Sequence, residues 1–75
     1  MKAYVLINVR AGTARAVCRQ LQRIKEVKSA YPCWGRPDVF AFVDAKNEKA
    51  LAESVLEQIQ TVDGVKSTDT HIVID

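Results

Sequence analysis

The sequence is short of most things that would give a small protein an obvious chemistry. It has two cysteines, one histidine, one tryptophan and three glycines in 75 residues. A small secreted scaffold is usually richer in cysteine, so Cys18 and Cys33 read as reduced thiols rather than a disulfide. A tetrahedral metal site needs about four ligands. Cys33 has no partner at ligand spacing, and His71 is the lone histidine. Neither does Ala11-Gly12-Thr13 make a phosphate loop, with its single glycine and no Lys-Ser/Thr ending.

Long apolar runs are missing too. A membrane helix needs about 18 apolar residues or more, and no stretch approaches that. The start, MKAYVLINVR, has too short an apolar part and no cleavage-like tail for a signal peptide. A cytoplasmic, soluble protein without membrane contact is the expectation. The formal net charge is only +2, too little for a strong nucleic-acid footprint.

What is present is a core. Hydrophobic residues make up 48% of the chain, which argues for one folded domain over residues 1–75. The chain also repeats itself. Shifted by 38 residues, Ala3-Tyr4-Val5 meets Ala41-Phe42-Val43, and Val17, Leu21 and Ile24 meet Val55, Ile59 and Val62. Val27-Lys28-Ser29 meets Val65-Lys66-Ser67 unchanged, with no gap in between. Two similar strand–helix–strand halves follow.

Local signals agree. Residues 3–9 are an apolar, β-forming run. Thr13 is a candidate N-cap for a helix that buries Val17, Cys18, Leu21 and Ile24. Residues 27–33 and 39–45 read as the second and third strands. Asn47 can cap a second helix with Leu51, Val55, Leu56, Ile59 and Val62 as its buried stripe. Gly64 suits the left-handed position that ends that helix, and residues 65–74 form the last strand. The order β-α-β-β-α-β predicts an α+β, ferredoxin-like fold, with both helices on one face of a four-stranded antiparallel sheet.

The first and third strands are apolar on both sides. Tyr4, Leu6, Phe40 and Phe42 fall on one side and Ala3, Val5, Val39 and Val43 on the other, and the helices can cover only one of the two sets. At about 25 cal/mol per Å², leaving the other set wet would forfeit several kcal/mol. A second copy of the chain packed sheet to sheet is the expected cover, giving a dimer or an assembly of dimers.

Residues 31–40, YPCWGRPDVF, are the most unusual stretch. Pro32 and Pro37 stiffen it, Gly35 permits a conformation that side chains resist, and Asp38 stands at the mouth of the third strand. On its own this makes a good turn. It also offers a carboxylate for an amino group and, at Arg36, a guanidinium for a carboxylate. Thr68 and Thr70 share one face of the last strand and carry hydroxyls that can bond a ligand. Trp34 is a candidate to pack across a subunit boundary, or to cap the core's own edge.

AYVLINV, the Gly35-Arg36-Pro37-Asp38 turn running into VFAFV, and the ending GVKSTDTHIVI together resemble the effector-binding (RAM) domain of the Lrp/AsnC transcription regulators, over essentially the whole chain. That resemblance implies a module that binds a small effector, an amino acid, at Gly35, Arg36, Asp38, Thr68 and Thr70. It needs no cofactor or metal and is not an enzyme. It would assemble with itself or with full-length regulators of the family. The commonest members carry an N-terminal helix-turn-helix. Here the first strand starts at Ala3, so the chain resembles the stand-alone members, and direct sequence-specific DNA binding is not expected.

Two other readings compete. A small cofactor-free enzyme on a dimeric ferredoxin-like fold would need a convergent titratable cluster. Asn8, Asp44, Asp69 and His71 supply polar strand residues of mixed sidedness only. An RNA-binding βαββαβ module would show aromatics with basic residues on the open sheet, but the RNP1 pattern is missing.

Overall fold

The computed structural model describes residues 1–74, with Ser54 described by its backbone alone. The strands are β1 (Lys2–Val9), β2 (Val27–Pro32), β3 (Val39–Asp44) and β4 (Val65–Ile72). Helix α1 (Ala14–Leu21) joins β1 to β2. A helical segment over residues 48–60, here α2, joins β3 to β4, and its middle, Leu51–Leu56, is wound as a π-helix. The sheet order is β2-β3-β1-β4, all neighbours antiparallel. This is the ferredoxin-like split βαβ predicted from the repeat.

Alternation along β1 makes the core. Ala3, Val5, Ile7 and Val9 are buried, and Val39, Ala41 and Val43 of β3 lie on the same side. From the helices come Val17, Cys18 and Leu21 of α1 and Leu51, Val55 and Ile59 of α2. Tight turns after α1, Ile24 N–H to Leu21 O (3.0 Å) and Val27 N–H to Ile24 O (3.0 Å), bring Ile24 into the same core.

The unchanged Val-Lys-Ser triplet has a structural meaning. In each half the strand register slips across it. Val27 faces Val43 while Ser29 faces Phe42, and Val65 faces Val9 while Ser67 faces Asn8. Lys28 and Lys66 are the extra residues of two equivalent β-bulges. The bulge explains how Val27 and Ala30, three apart, are both buried.

Local details differ from the sequence reading at three points. Thr13 is the N-cap of α1, but its hydroxyl turns back and donates to Arg10 O (2.6 Å), so α1 has no side-chain cap. Asn47 does cap α2, its Oδ1 accepting from Ala50 N–H at 2.8 Å. Gly64 has the expected positive φ, 101°, but stands three residues beyond the C-cap Thr61. It forms the turn into β4, where its carbonyl accepts from Arg10 N–H (2.7 Å). The regular part of β4 ends at Ile72, short of residue 74.

The sheet's other face carries no helix. Tyr4 and Phe42 stack at a tilt with ring centroids 5.0 Å apart. Tyr4 is 50% exposed, Phe40 42% and Tyr31 66%.

Candidate functional site

The connection between β2 and β3 is tied to the end of β1. Asp38 makes three links. Its N–H donates to Ile7 O (3.0 Å), its carbonyl accepts from Cys33 N–H (2.7 Å), and its Oδ2 accepts from Val9 N–H (2.9 Å). A carboxylate offers about four acceptor positions. The Val9 bond uses one and leaves Oδ1 without a hydrogen-bond partner among the described residues.

Asp38 forms the ridge between two small cavities. One, of about 230 Å³, is lined by Asn8, Val9, Ala11, Arg36, Asp38 and Lys66. The other, of about 250 Å³, lies on the α1 side and is lined by Val9, Arg10, Ala11, Gly12, Ala14, Arg15 and Asp38. Val9, Ala11 and Asp38 belong to both. The larger hollow between the helices, about 480 Å³, has no cationic group in its lining, and its one carboxylate, Asp63, is shared with Arg10 at 3.5 Å. The two cavities beside Asp38, in contrast, each bring its carboxylate together with cationic side chains.

Of the residues singled out from sequence, Arg36 and Asp38 share a cavity. Gly35 precedes them at φ 102°, with nothing within 4 Å of where a Cβ would stand. Thr68 and Thr70 pair with Ile7 and Val5, which puts them on the helix side of edge strand β4. Thr68 Oγ1 accepts from Gln60 Nε2 at 3.4 Å. Neither threonine lines the two cavities of this single chain. Trp34 is fully exposed and caps no core edge.

The structure adds Arg10, Arg15 and Lys66, which sequence reasoning missed, and places Asn8, singled out there only as a polar strand residue, in the same lining. Arg10 follows directly on the first strand, and Lys66 lies in the repeated triplet, so both carried a signal. Asn8 is more telling. Its Nδ2 donates to Ser67 Oγ (3.2 Å), while its Oδ1 is buried without a partner. Exchanging the amide's O and N would only move the deficit to the nitrogen.

Other reactive groups lie elsewhere. Cys18 and Cys33 are free thiols, and burial, with a smaller contribution from nearby Cys33, pushes the Cys18 thiol above its usual range. His71 Nε2 and Asp69 Oδ2 sit 3.1 Å apart, exposed on the open face. The described residues bring no nucleophile, base and orienting group together in either cavity. No helix among them is long and apolar enough to cross a membrane.

A ferredoxin-like domain with a charged cleft at the end of its central strand, and no convergent catalytic set, has the make-up of a ligand-binding module. The chain belongs to the Lrp/AsnC ligand binding domain family, which residues 2–75 match. It is similar to the HTH-type transcriptional regulator FL11 of Pyrococcus abyssi, 34% identical over 74 residues, which cover 99% of this chain and 48% of that protein. The chain thus spans about half the length of the curated relatives it matches. Those relatives are named transcriptional regulators and not enzymes.

Two solved structures make the same point. Hypothetical protein PHS023 from Pyrococcus horikoshii has a TM-score of 0.89 at 32% identity, with 97% of this chain and 88% of that one covered. E. coli AsnC has a TM-score of 0.89 at 28% identity, with 99% of this chain and 50% of that one covered.

Proposed function

We propose that this chain is an effector-binding and assembly module of transcription regulation, and that its effector is an amino acid. The observation that carries the reading is the pairing of opposite charges around one small cleft. Asp38 Oδ1 is free to accept from an ammonium group, and Arg36 and Lys66 line the same cavity to receive a carboxylate. A zwitterion is the small molecule that answers both. A regulator from Neisseria meningitidis that shares this fold, at 21% identity and a TM-score of 0.84, is a complex with L-Met. That likeness concerns the fold alone, and it makes amino acids the first class to test.

Gly35 supplies the positive φ of the turn that precedes Arg36. Thr68 and Thr70 offer hydroxyls from edge strand β4, on the helix side of the sheet. The open aromatic face of the sheet is the surface for a second copy. Full-length regulators of the same family, which have the same kind of domain, are the further partners. The chain alone binds no operator with sequence preference, because both of its described helices pack on the sheet and neither is offered to a groove.

The test is calorimetric titration of an amino-acid panel against the wild type and Asp38→Asn. Asparagine keeps an acceptor for Val9 N–H and removes the charge. Losing a charge-assisted hydrogen bond costs about 1.5–3 kcal/mol, roughly ten- to a hundred-fold in affinity. If no amino acid binds, or if binding ignores Asp38→Asn, the reading is wrong.

A further inference from the structure

Four cationic side chains surround the one carboxylate of the cleft. Arg36 and Lys66 line the cavity on one side of Asp38, and Arg10 and Arg15 line the cavity on the other. The whole chain has a formal net charge of only +2, so this is a local concentration of positive charge. Among the described residues Arg15, Arg36 and Lys66 take part in no ion pair. Arg10 meets Asp63 at 3.5 Å, but both side chains are largely exposed, and such a pair contributes little. Lys66 lines the cavity as the extra residue of the β4 bulge, a device that re-aims a side chain.

An amino acid with a neutral side chain uses only half of this arrangement. Its ammonium meets Asp38 and its carboxylate meets one cationic pair, while the other pair keeps its charges unmatched. An apolar side chain finds little to rest on either. Among the described residues Val9, Ala11 and Ala14 are the only apolar ones lining the two cavities, and no Leu, Ile, Met or aromatic residue does. Burial of apolar area therefore adds little affinity here.

We infer that the effector carries a second anionic group, as an acidic amino acid of the glutamate or aspartate kind does, with its two carboxylates on either side of Asp38. The inference rests on the amino-acid reading above and narrows it. The ammonium sits at the Asp38 ridge. The α-carboxylate takes Arg36 and Lys66, and the side-chain carboxylate takes Arg15 and Arg10. Guanidinium groups suit this task because each can give two parallel N–H bonds to one carboxylate.

The experiment is calorimetry of the 75-residue protein with glutamate, aspartate, glutamine, leucine and succinate, at low and at high salt. An added charge-assisted contact predicts that glutamate or aspartate binds at least about ten-fold more tightly than glutamine. The advantage shrinks as salt rises, since the groups are solvent-facing. Arg15→Gln, a change on an exposed helix position, lowers glutamate affinity more than glutamine affinity, and Arg10→Gln does the same. Glutamine or leucine binding as tightly as glutamate overturns the inference and leaves the amino-acid reading standing. An acidic preference that survives both arginine changes also overturns it. Binding of succinate with no amino acid in the panel overturns the amino-acid reading and this inference together, and so does binding of nothing.

Discussion

Replacing Gly64 with alanine tests how the turn into β4 supports the cleft wall. The added Cβ would stand 2.9 Å from Thr13 Oγ1, 3.1 Å from Val17 Cγ2 and 3.2 Å from Thr13 Cβ. None of these neighbours yields easily. Val17 is fully buried, and the Thr13 hydroxyl is held by its bond to Arg10 O. The backbone is also at φ 101°, where a side chain is strained whatever the space. Strain of this kind costs about 1–3 kcal/mol, and overpacking adds about 1–3 kcal/mol more. Gly35 is a matched control. Its φ is 102°, but nothing stands within 4 Å of the added carbon. Gly35→Ala incurs the strain alone, and the difference between the two variants isolates the crowding.

Urea unfolding at fixed protein concentration measures both, with unchanged slopes marking a change of stability alone. Gly64→Ala is expected to cost at least about 1 kcal/mol more than Gly35→Ala. In a domain of this size that is a further fall of about 4–8 °C in Tm. In a Thr13→Ala background the nearest atom is gone, and the cost of Gly64→Ala should shrink. Equal costs for the two glycines, or no coupling to Thr13, would refute the argument.

Phe42→Asp places a charge beside Tyr4 on the open sheet face, and light scattering should then report a smaller species than the wild type. A wild type that is already a monomer at low micromolar concentration would remove the case for that face. Alkylation should reach half-exposed Cys33 well before buried Cys18, as peptide mass mapping can follow. Because burial raises the Cys18 thiol, the folded chain holds that proton to higher pH than the unfolded chain does. Its contribution is then complete below the unfolded thiol's pKa and is lost as pH climbs through the folded value. The urea midpoint should fall as pH rises above the unfolded thiol's pKa, and fall less in Cys18→Ala.

The fold was legible because its two halves share one pattern. Helical spacing placed Val17, Leu21, Val55 and Ile59 in the core, and all are fully buried. That one apolar sheet face stays without a helix was legible too, but which one was not: the structure buries Val5 and Ala41 and exposes Tyr4 and Phe40. The cleft was legible only in part. Arg36 and Asp38 stood out because prolines and a glycine flank them in sequence. Arg10 follows β1, Arg15 opens α1 and Lys66 is the bulge residue of β4, and only the folded chain brings the three to cavities that Asp38 also lines. Thr68 and Thr70 show the opposite limit. Period-two reasoning gave them a common face but not which one, and pairing with Ile7 and Val5 turns that face toward the helices.

Where the halves stop matching also explains where the cleft lies. Both crossovers leave a central strand and return through a helix, yet their entries differ. The β3–α2 entry is short and closed, with Asn47 Oδ1 capping Ala50 N–H. At the β1–α1 entry the N-cap Thr13 gives its hydroxyl to Arg10 O, and both cavities open against Ala11. The β2–β3 connection, which has no counterpart in the repeat, then supplies Arg36 and Asp38 to that same end. The Val9 N–H bond to Asp38 Oδ2 joins the unmatched connection to the uncapped entry. A bound ligand bridging Asp38 to Arg15 would therefore tie together two segments that the repeat leaves independent. The turn at Gly64 adjoins them through its bond to Arg10, so β4 and the surfaces beside it lie one hydrogen bond from the cleft.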